Sequence, residues 1–337
     1  MNPTIKDIAK LVGVSPSTVS RALNGSSLIS PETSARIRKA MEELNYHPNS
    51  IAKSFATGNT GIIALIIDAD REEDFANNFF NRSMFAMEKT AREAGYNFLI
   101  LSGAKDRSAV DALVYEKKAD GVIIPSSCLD ISLLGVLEQE QFPCVILGEP
   151  SIVRDSATWV DIDNEQGGYL AVQHLADHGY RHIVLVLDHT TTVFARRREE
   201  GVRRAAESMP SLRGTVMVAG TGGELERGVR EVLRKEGADA FVCSNNEMAY
   251  QVLHYLREMG KRVPEDVGVV AFDNYPLAEY MDPPLTAVDI DTYALGRRAA
   301  EELLRRIRSR DIEPSHIRLD VRVLERKSSA REETRVR

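Results

Sequence analysis

The 337-residue chain predicts an all-α helix-turn-helix headpiece followed by an α/β body of two doubly wound parallel-sheet lobes. Three observations carry that expectation. Residues 4–44 hold short amphipathic helical patterns separated by turn signals. From residue 61 onward, near-continuous apolar runs alternate with amphipathic stretches, the pattern of parallel strands covered by helices on both faces. Residues 61–337 also exceed the size at which a single core usually keeps growing, so they divide into two lobes.

The head opens at Thr4, which can cap a first helix with Asp7 as capping-box partner. Ile5, Ile8, Ala9 and Val12 fall on one face at helical spacing. Gly13 supplies the break, because a left-handed backbone costs it little. Ser15 then acts as N-cap with Pro16 at the first helical position. In the second helix Val19, Ala22 and Leu23 face inward, leaving Ser17, Thr18, Ser20 and Arg21 outward. Hydroxyls bind phosphates and arginine can read guanine bidentately, so this face suits a major groove. Two ordinary amphipathic helices joined by a turn remain the plain alternative. Ser30 and Pro31 repeat the cap and start a third helix that buries Ile37, Ala40, Met41 and Leu44.

Charge supports a polyanionic partner for the head. Residues 1–60 carry Lys6, Lys10, Arg21, Arg36, Arg38, Lys39 and Lys53 against Asp7, Glu32, Glu42 and Glu43, a net +3 in a chain of net −7. The basic head favours polyanions, and the acidic remainder resists non-specific adhesion to them. Pro48 ends the preceding helix and Asn49 can cap a short new one. About eight residues cannot hold a helix in water unaided, so the segment orders only when docked. Phe55 there has two readings: it packs onto the body, or it wedges between base steps in a minor groove.

Segment 4–58, with its VSxxTVSRxLN core (14–24) and NYxPNxxA hinge entry (45–52), resembles the head and hinge of the lactose-repressor (LacI/GalR) family. Together the residues and the resemblance place DNA-binding groups at Thr4, Ser15, Pro16, Ser17, Thr18, Ser20, Arg21, Asn24, Ser30, Thr33, Tyr46, Asn49, Ala52 and Phe55. The family's hinge wedge is usually leucine, where this chain has Phe55. Its two specificity positions opening the recognition helix are Pro16 and Ser17 here. Proline offers no side-chain hydrogen bond, so base reading leans on Ser17, Arg21 and DNA shape.

Strand-like runs follow at 62–67, 98–101, 121–124, 144–147, 183–187, 215–218, 240–243 and 267–272, with helical patterns at 81–94, 166–178, 196–208, 224–236 and 247–259. Ligands of open parallel sheets bind beyond the carboxyl ends of strands. The residues there include Phe79 and Phe80, Arg196 to Arg198, Asn245 to Glu247, and Asp273 with Asn274. Aromatics, forked donors and carboxylates suit a polyhydroxylated ligand; singly, each also reads as a helix cap or surface ion pair.

The resemblance extends over NNFF (77–80) with Gly95-Tyr96, DGVII (120–124), VDIDNEQGGYLAVQHL (160–175), ARRREEG (195–201), SNNEMA (244–249), VPEDVGVVAFDN (263–274) and PPLTAV (283–288). It implies a periplasmic-binding-protein-like body and effector contacts at Arg198, Asn245 and Asp273, beside Phe79 and Phe80. The family's usual ND pair is Asn245-Asn246 here and its DD pair is Asp273-Asn274. Gly148 and Gly222 fall near positions where some sugar-responding members carry aspartate and tryptophan. Segment 70–77 looks longer than usual. A small saccharide is the first expectation for the effector, and a purine or other metabolite the second.

The expected domains are 1–46 (helix-turn-helix), 47–60 (hinge helix and linker), 61–160 with 289–318 (N-terminal lobe), 161–288 with 319–328 (C-terminal lobe), and 329–337 (disordered tail). No apolar h-region follows Met1 and no apolar run approaches the length of a membrane span, so a cytoplasmic protein with no membrane partner is expected. Cys128, Cys144 and Cys243 are odd in number and far apart, which fits reduced thiols. His174, His178 and His182 stand at i, i+4 and i+8, but no cysteine or carboxylate cluster accompanies them and His182 falls beyond Gly179. They read as structural, and no metal or cofactor is expected. Gly220-Thr221-Gly222-Gly223 lacks the spacing of a dinucleotide loop, and no catalytic constellation stands out, so the chain is not expected to be an enzyme. The reading is a homodimeric repressor binding double-stranded operator DNA under a small-molecule effector. A sugar-binding sensor or transport protein without DNA binding is the alternative. The polar residues after Leu324 show no heptad, so no tetramerising helix is expected.

Overall fold

The computed structural model describes residues 3–23, 26–47, 58–68, 78–102, 107–152, 156–188, 190–309 and 311–331. Asn24, Asn49, Ala52 and Phe55, the segment 70–77 and residues 332–337 lie outside them. The chain forms two compact units, Met1–Thr60 and Gly61–Arg337.

In the first unit, helices α1 (Ile5–Val12), α2 (Pro16–Leu23) and α3 (Pro31–Glu43) close around Ile8, Ala9, Val12, Val19, Ile37 and Ala40. Each helix starts as its sequence requires. The Thr4 amide and hydroxyl both donate to the Asp7 carboxylate, at 2.8 and 2.7 Å. Ser15 Oγ accepts from the Thr18 amide at 3.1 Å, and Ser30 Oγ from the Thr33 amide at 3.2 Å. Gly13 ends α1 at φ 73°. Arg36 then donates to the Val12 carbonyl at 2.6 Å, tying α3 to an otherwise orphaned helix end.

The second unit contains two six-stranded sheets with the same strand order. The first runs β11-β5-β4-β3-β1-β2, from β1 (Ile62–Ile67), β2 (Asn97–Ser102), β3 (Gly121–Pro125), β4 (Cys144–Leu147), β5 (Trp159–Ile162) and β11 (His316–Leu319). The second runs β12-β10-β9-β8-β6-β7, from β6 (His182–Leu187), β7 (Arg213–Val218), β8 (Ala240–Cys243), β9 (Gly268–Phe272), β10 (Thr286–Asp289) and β12 (Arg322–Leu324). All their pairings are parallel except β12 with β10, which is antiparallel.

Both faces of each sheet are covered at its centre, which is why strands such as β1, β8 and β9 are apolar throughout. In the first lobe Ile63, Leu65 and Ile67 pack with Met87 of α4 (Asn78–Glu93) and Leu303 of α11 (Thr292–Arg308). Ala64 and Ile66 pack with Leu113 of α5 (Arg107–Val114) and Leu137 of α6 (Ile131–Gln139). In the second lobe Ile183 and Leu185 meet Leu175 of α7 (Asn164–Asp177) and Val202 of α8 (Val193–Ser208). Val184 and Val186 meet Val229 of α9 (Gly223–Glu231) and Val252 of α10 (Asn246–Glu258). The helices pair closely: a Cβ on Gly201 of α8 would strike the Glu165 carbonyl of α7, and one on Gly296 of α11 the Ser83 carbonyl of α4.

The chain crosses between lobes through Asp163, through Ile290 and Asp291, and through Asp320 and Val321. Asp163 and Asp291 cap α7 and α11 alike, each accepting an amide at 2.9 Å. The expected lobe boundaries shift accordingly, because a strand pairs as a unit. Residues 161, 162 and 319 belong to the first sheet and 289 to the second.

The expected tail at 329–337 is corrected at its start, residues 329–331. Ser328 and Ser329 are fully buried, and Arg331 lies 4.2 Å over the Tyr180 ring. Ser328 Oγ accepts from the Thr286 amide at 2.8 Å and donates to the Val269 carbonyl at 2.6 Å. Polar side chains that satisfy backbone groups inside a fold look the same in composition as solvated ones.

Candidate DNA-reading face and effector cleft

On the head, Ser15, Pro16, Ser17 and Arg21 are exposed, while Thr18, Ser20, Thr33 and Tyr46 are half-buried. Ser15 and Ser30 are occupied as caps, and each shares its hydroxyl with the threonine three residues on, at 2.9 Å. Thr4 is likewise engaged with Asp7, whose pKa the Thr4 hydrogen bonds lower. Tyr46 packs against the head core. Ser17 and Arg21, one helical turn apart, are the groups of α2 most open to a base edge.

In the second unit, the carboxyl ends of the strands converge on polar groups with few partners to spare. Asp273 follows β9 at φ 71°, a left-handed conformation that short polar side chains tolerate. It is buried, and burial pushes its carboxyl up to about 6 against the opposing pull of Arg198. Its Oδ1 is buried without a hydrogen-bond partner among the described residues. It lines a cavity of about 480 Å³ together with Tyr275, Ile290, Thr292 and the aspartates 289, 291 and 320.

Arg198 is buried and held from three sides. Its Nε donates to Asn164 Oδ1 at 2.9 Å, its Nη1 to the Ser244 carbonyl at 2.5 Å, and its guanidinium lies 3.8 Å from the Phe272 ring centroid. Burial pulls its pKa down, opposed by Asp273, Asp161 and Asp188. Asp161, at the end of β5, is also buried and pushed up to about 6, although it accepts from the Glu149 and Ile162 amides at 2.8 and 2.7 Å. Two uphill carboxylates thus act on one desolvated arginine.

The remaining expected effector residues have distinct positions. Asn245 caps α10, accepting from the Met248 amide at 2.9 Å. Its neighbour Asn246 donates to the carbonyls of Phe272 and Asp273 at 3.1 and 2.7 Å, which fixes the end of β9. Phe79 and Phe80 open α4 and are half-buried against the core. The Phe79 amide donates across the lobes to Tyr275 Oη at 3.2 Å. A second inter-lobe tie joins Arg197 of α8 to Glu149 after β4, through bonds of 2.6 and 3.2 Å. Burial raises the Glu149 pKa, but hydrogen bonds and charge from Arg197 and then Arg318 hold it below the usual range.

Arg198 and Asp273, both expected from the sequence, stand close enough for their charges to act on each other, while Glu149, Asp161, Asn164 and Tyr275 were not expected there. The signal for Asp161 and Asn164 was a charged and an amide residue around an apolar β5, in VDIDN; Tyr275 offered only its adjacency to Asn274.

Residues 4–49 match the family described as bacterial regulatory proteins, lacI family, and residues 172–329 match the periplasmic binding protein-like domain. The chain is 31% identical over 333 residues to the HTH-type transcriptional regulator CelR of Thermobifida fusca, covering 97% of this chain and 98% of that protein. This chain belongs to the LacI family. The LacI-family protein is also 32% identical to the HTH-type transcriptional repressor PurR of Aliivibrio fischeri, over 96% of its length and 98% of the relative's. Among solved structures it is similar to a transcriptional regulator CelR–cellobiose complex, with TM-score 0.70, 30% identity and coverage of 97% and 99%. It is similar as well to a lac repressor dimer bound to operator and the anti-inducer ONPF, with TM-score 0.78, 25% identity and coverage of 98% and 99%. It is therefore a sequence-specific DNA-binding regulator with an effector-binding cleft, not an enzyme. No helix among the described residues is long and apolar enough to cross a membrane.

Proposed function

We propose that this LacI-family chain is a homodimeric repressor whose cleft closes on a small saccharide. The observation that carries the effector reading is a cavity lined by Asp273, Tyr275, the aspartates 289, 291 and 320 and the arginines 82 and 322, with the buried Oδ1 of Asp273 lacking a partner among the described residues. A buried polar atom without a partner costs about 1–3 kcal/mol, which a ligand hydroxyl donating to it recovers. Vicinal hydroxyls supply several such donors, and Phe79, Phe80 and Tyr275 offer apolar faces to a sugar ring. The similarity to a CelR–cellobiose complex supports the same class.

On the DNA side, Ser17 and Arg21 read bases, while the hydroxyls of Ser15, Thr18, Ser20 and Thr33 with Tyr46 hold phosphates, and Thr4 and Ser30, whose hydroxyl protons go to Asp7 and Thr33, fix the helix starts that face the DNA. A two-fold pair of heads then meets two half-sites of a palindromic operator. The similarity to a lac repressor dimer on its operator supports that arrangement.

A thermal-shift screen of the full-length protein over mono- and disaccharides and purine bases tests the effector reading. A ligand that prefers the native state raises the melting temperature. The expected result is stabilisation by a saccharide, loss of that shift in Asp273→Asn, and an operator affinity changed by the same sugar. Stabilisation by a purine and by no sugar overturns it.

A further inference from the structure

The geometry points to a divalent transition-metal site in the second lobe, in which His174 Nδ1, His178 Nε2 and the Glu325 carboxylate hold one zinc-class ion. The sequence sets Asp177 next to His178 but no carboxylate cluster around the pair; the fold brings in Glu325. Residues i and i+4 of α7 bring the imidazoles onto one face, with ring centroids 4.4 Å apart. Glu325, directly after β12, places its Oε2 3.8 Å from His174 Nδ1 and 3.5 Å from His178 Nε2. One ligand atom from each residue lies within 4.8 Å of the others. His182 takes no part: it opens β6 and bonds the Glu236 carbonyl and Thr215 Oγ1.

The hydrogen bonds around the cluster assign both tautomers. His178 Nδ1 lies 2.8 Å from the His174 carbonyl, which only accepts, so Nδ1 carries the proton and Nε2 the lone pair. His174 Nε2 lies 2.8 Å from Ser329 Oγ. That hydroxyl donates to Thr286 Oγ1 at 2.6 Å, because Thr286 uses its own proton on the Arg326 carbonyl at 2.9 Å. Ser329 must therefore accept from His174 Nε2, which leaves the lone pair on Nδ1. Two imidazole lone pairs and a carboxylate then face one another with no donor between them.

A metal ion resolves the repulsion. Ligand atoms about 2.0–2.1 Å from tetrahedral zinc stand roughly 3.4 Å from each other, so the two separations from Glu325 need only tenths of an ångström of adjustment. Glu325, half exposed, can supply it. Each imidazole also anchors its outer nitrogen to an oxygen, the arrangement that orients metal-binding histidines. Two imidazoles and one carboxylate select zinc, nickel or cobalt over calcium or magnesium, and water completes the shell. Bound there, the ion ties the end of α7 to the chain leaving β12.

Zinc titration of the chelator-stripped full-length protein, read against a chromophoric chelator and by melting temperature, tests the site. One zinc per chain at micromolar concentration or tighter, with a raised melting temperature, is expected. Affinity should fall at least tenfold in His178→Ala and in Glu325→Gln, the latter keeping size and fold. His254→Ala, which removes an exposed histidine beside Glu258 on α10, should leave it unchanged. Cobalt should give the intense visible absorption of a tetrahedral centre in the wild type and lose it in Glu325→Gln. Zinc affinity unchanged in both site variants, or lost equally in His254→Ala, overturns the proposal, as does the absence of any micromolar binding.

Discussion

Asp273 concentrates several constraints in one side chain. Its backbone is left-handed, burial raises its pKa to about 6, and one oxygen has no partner among the described residues. A folded-state pKa above the unfolded value means the fold favours the protonated form. That contribution is full below about pH 4 and is lost as pH rises through about 6. Asp161 acts in the same direction in the same window. In Asp273→Asn this component disappears. The melting temperature of the ligand-free variant should fall less than wild type between pH 4 and 7, by the equivalent of about 1–3 kcal/mol. Parallel pH profiles for the two proteins would contradict it. The effector test and this one are separate, since the second needs no ligand.

Helices and strands differ in how far the sequence announces them. The head was fully legible: Ile8, Ala9, Val12, Val19, Ile37 and Ala40 are buried where helical spacing puts them. So were eight strands, β1 to β4 and β6 to β9, whose apolar runs stand out. The interior strands β5 (WVDI) and β10 (TAVD), the edge strand β11 (HIRL) and the return strand β12 (RVL) were not, because they are short, carry polar or charged residues, and exist through pairing with their neighbours. The site was half legible for the same reason. Asp273 follows a strand that reads as a strand, whereas Glu149, Asp161 and Tyr275 matter only because non-local crossings bring them together. At this scale the close helix pairs give a sharp expectation. Gly201→Ala forces a methyl against the Glu165 carbonyl and Tyr169 amide of α7, backbone atoms that cannot turn aside. It should destabilise by about 3 kcal/mol or more in denaturant unfolding. A loss below about 1 kcal/mol would mean that α7 and α8 can part cheaply.

For the whole molecule, the inter-lobe ties govern how readily the cleft opens. Glu149 and Arg197 join the lobes, with the Glu149 carboxyl held below its ordinary pKa range. Its stabilisation is therefore present above the ordinary carboxylate pKa and lost as pH falls through the folded value, opposite in sign to Asp273. Glu149→Gln should cost about 1–2 kcal/mol near pH 7, and the difference from wild type should shrink on acidification below about pH 4. It should also shift effector affinity, and operator affinity reciprocally, because ligand binding and lobe geometry share one equilibrium. An Arg197 tie that mattered only to stability would leave both affinities untouched.

The three crossings between the lobes have a mechanical consequence. Side by side, short connections act as a flexure: they bend together about one axis and resist twist and sideways slip. Two of them lead straight into capped helices, α7 and α11, so bending at Asp163 or Asp291 carries a rigid helix pair with it. A ligand filling the cavity beside Asp291 and Asp320 therefore presses on the bearing itself. The body so becomes a lever with one degree of freedom, worked at its pivot.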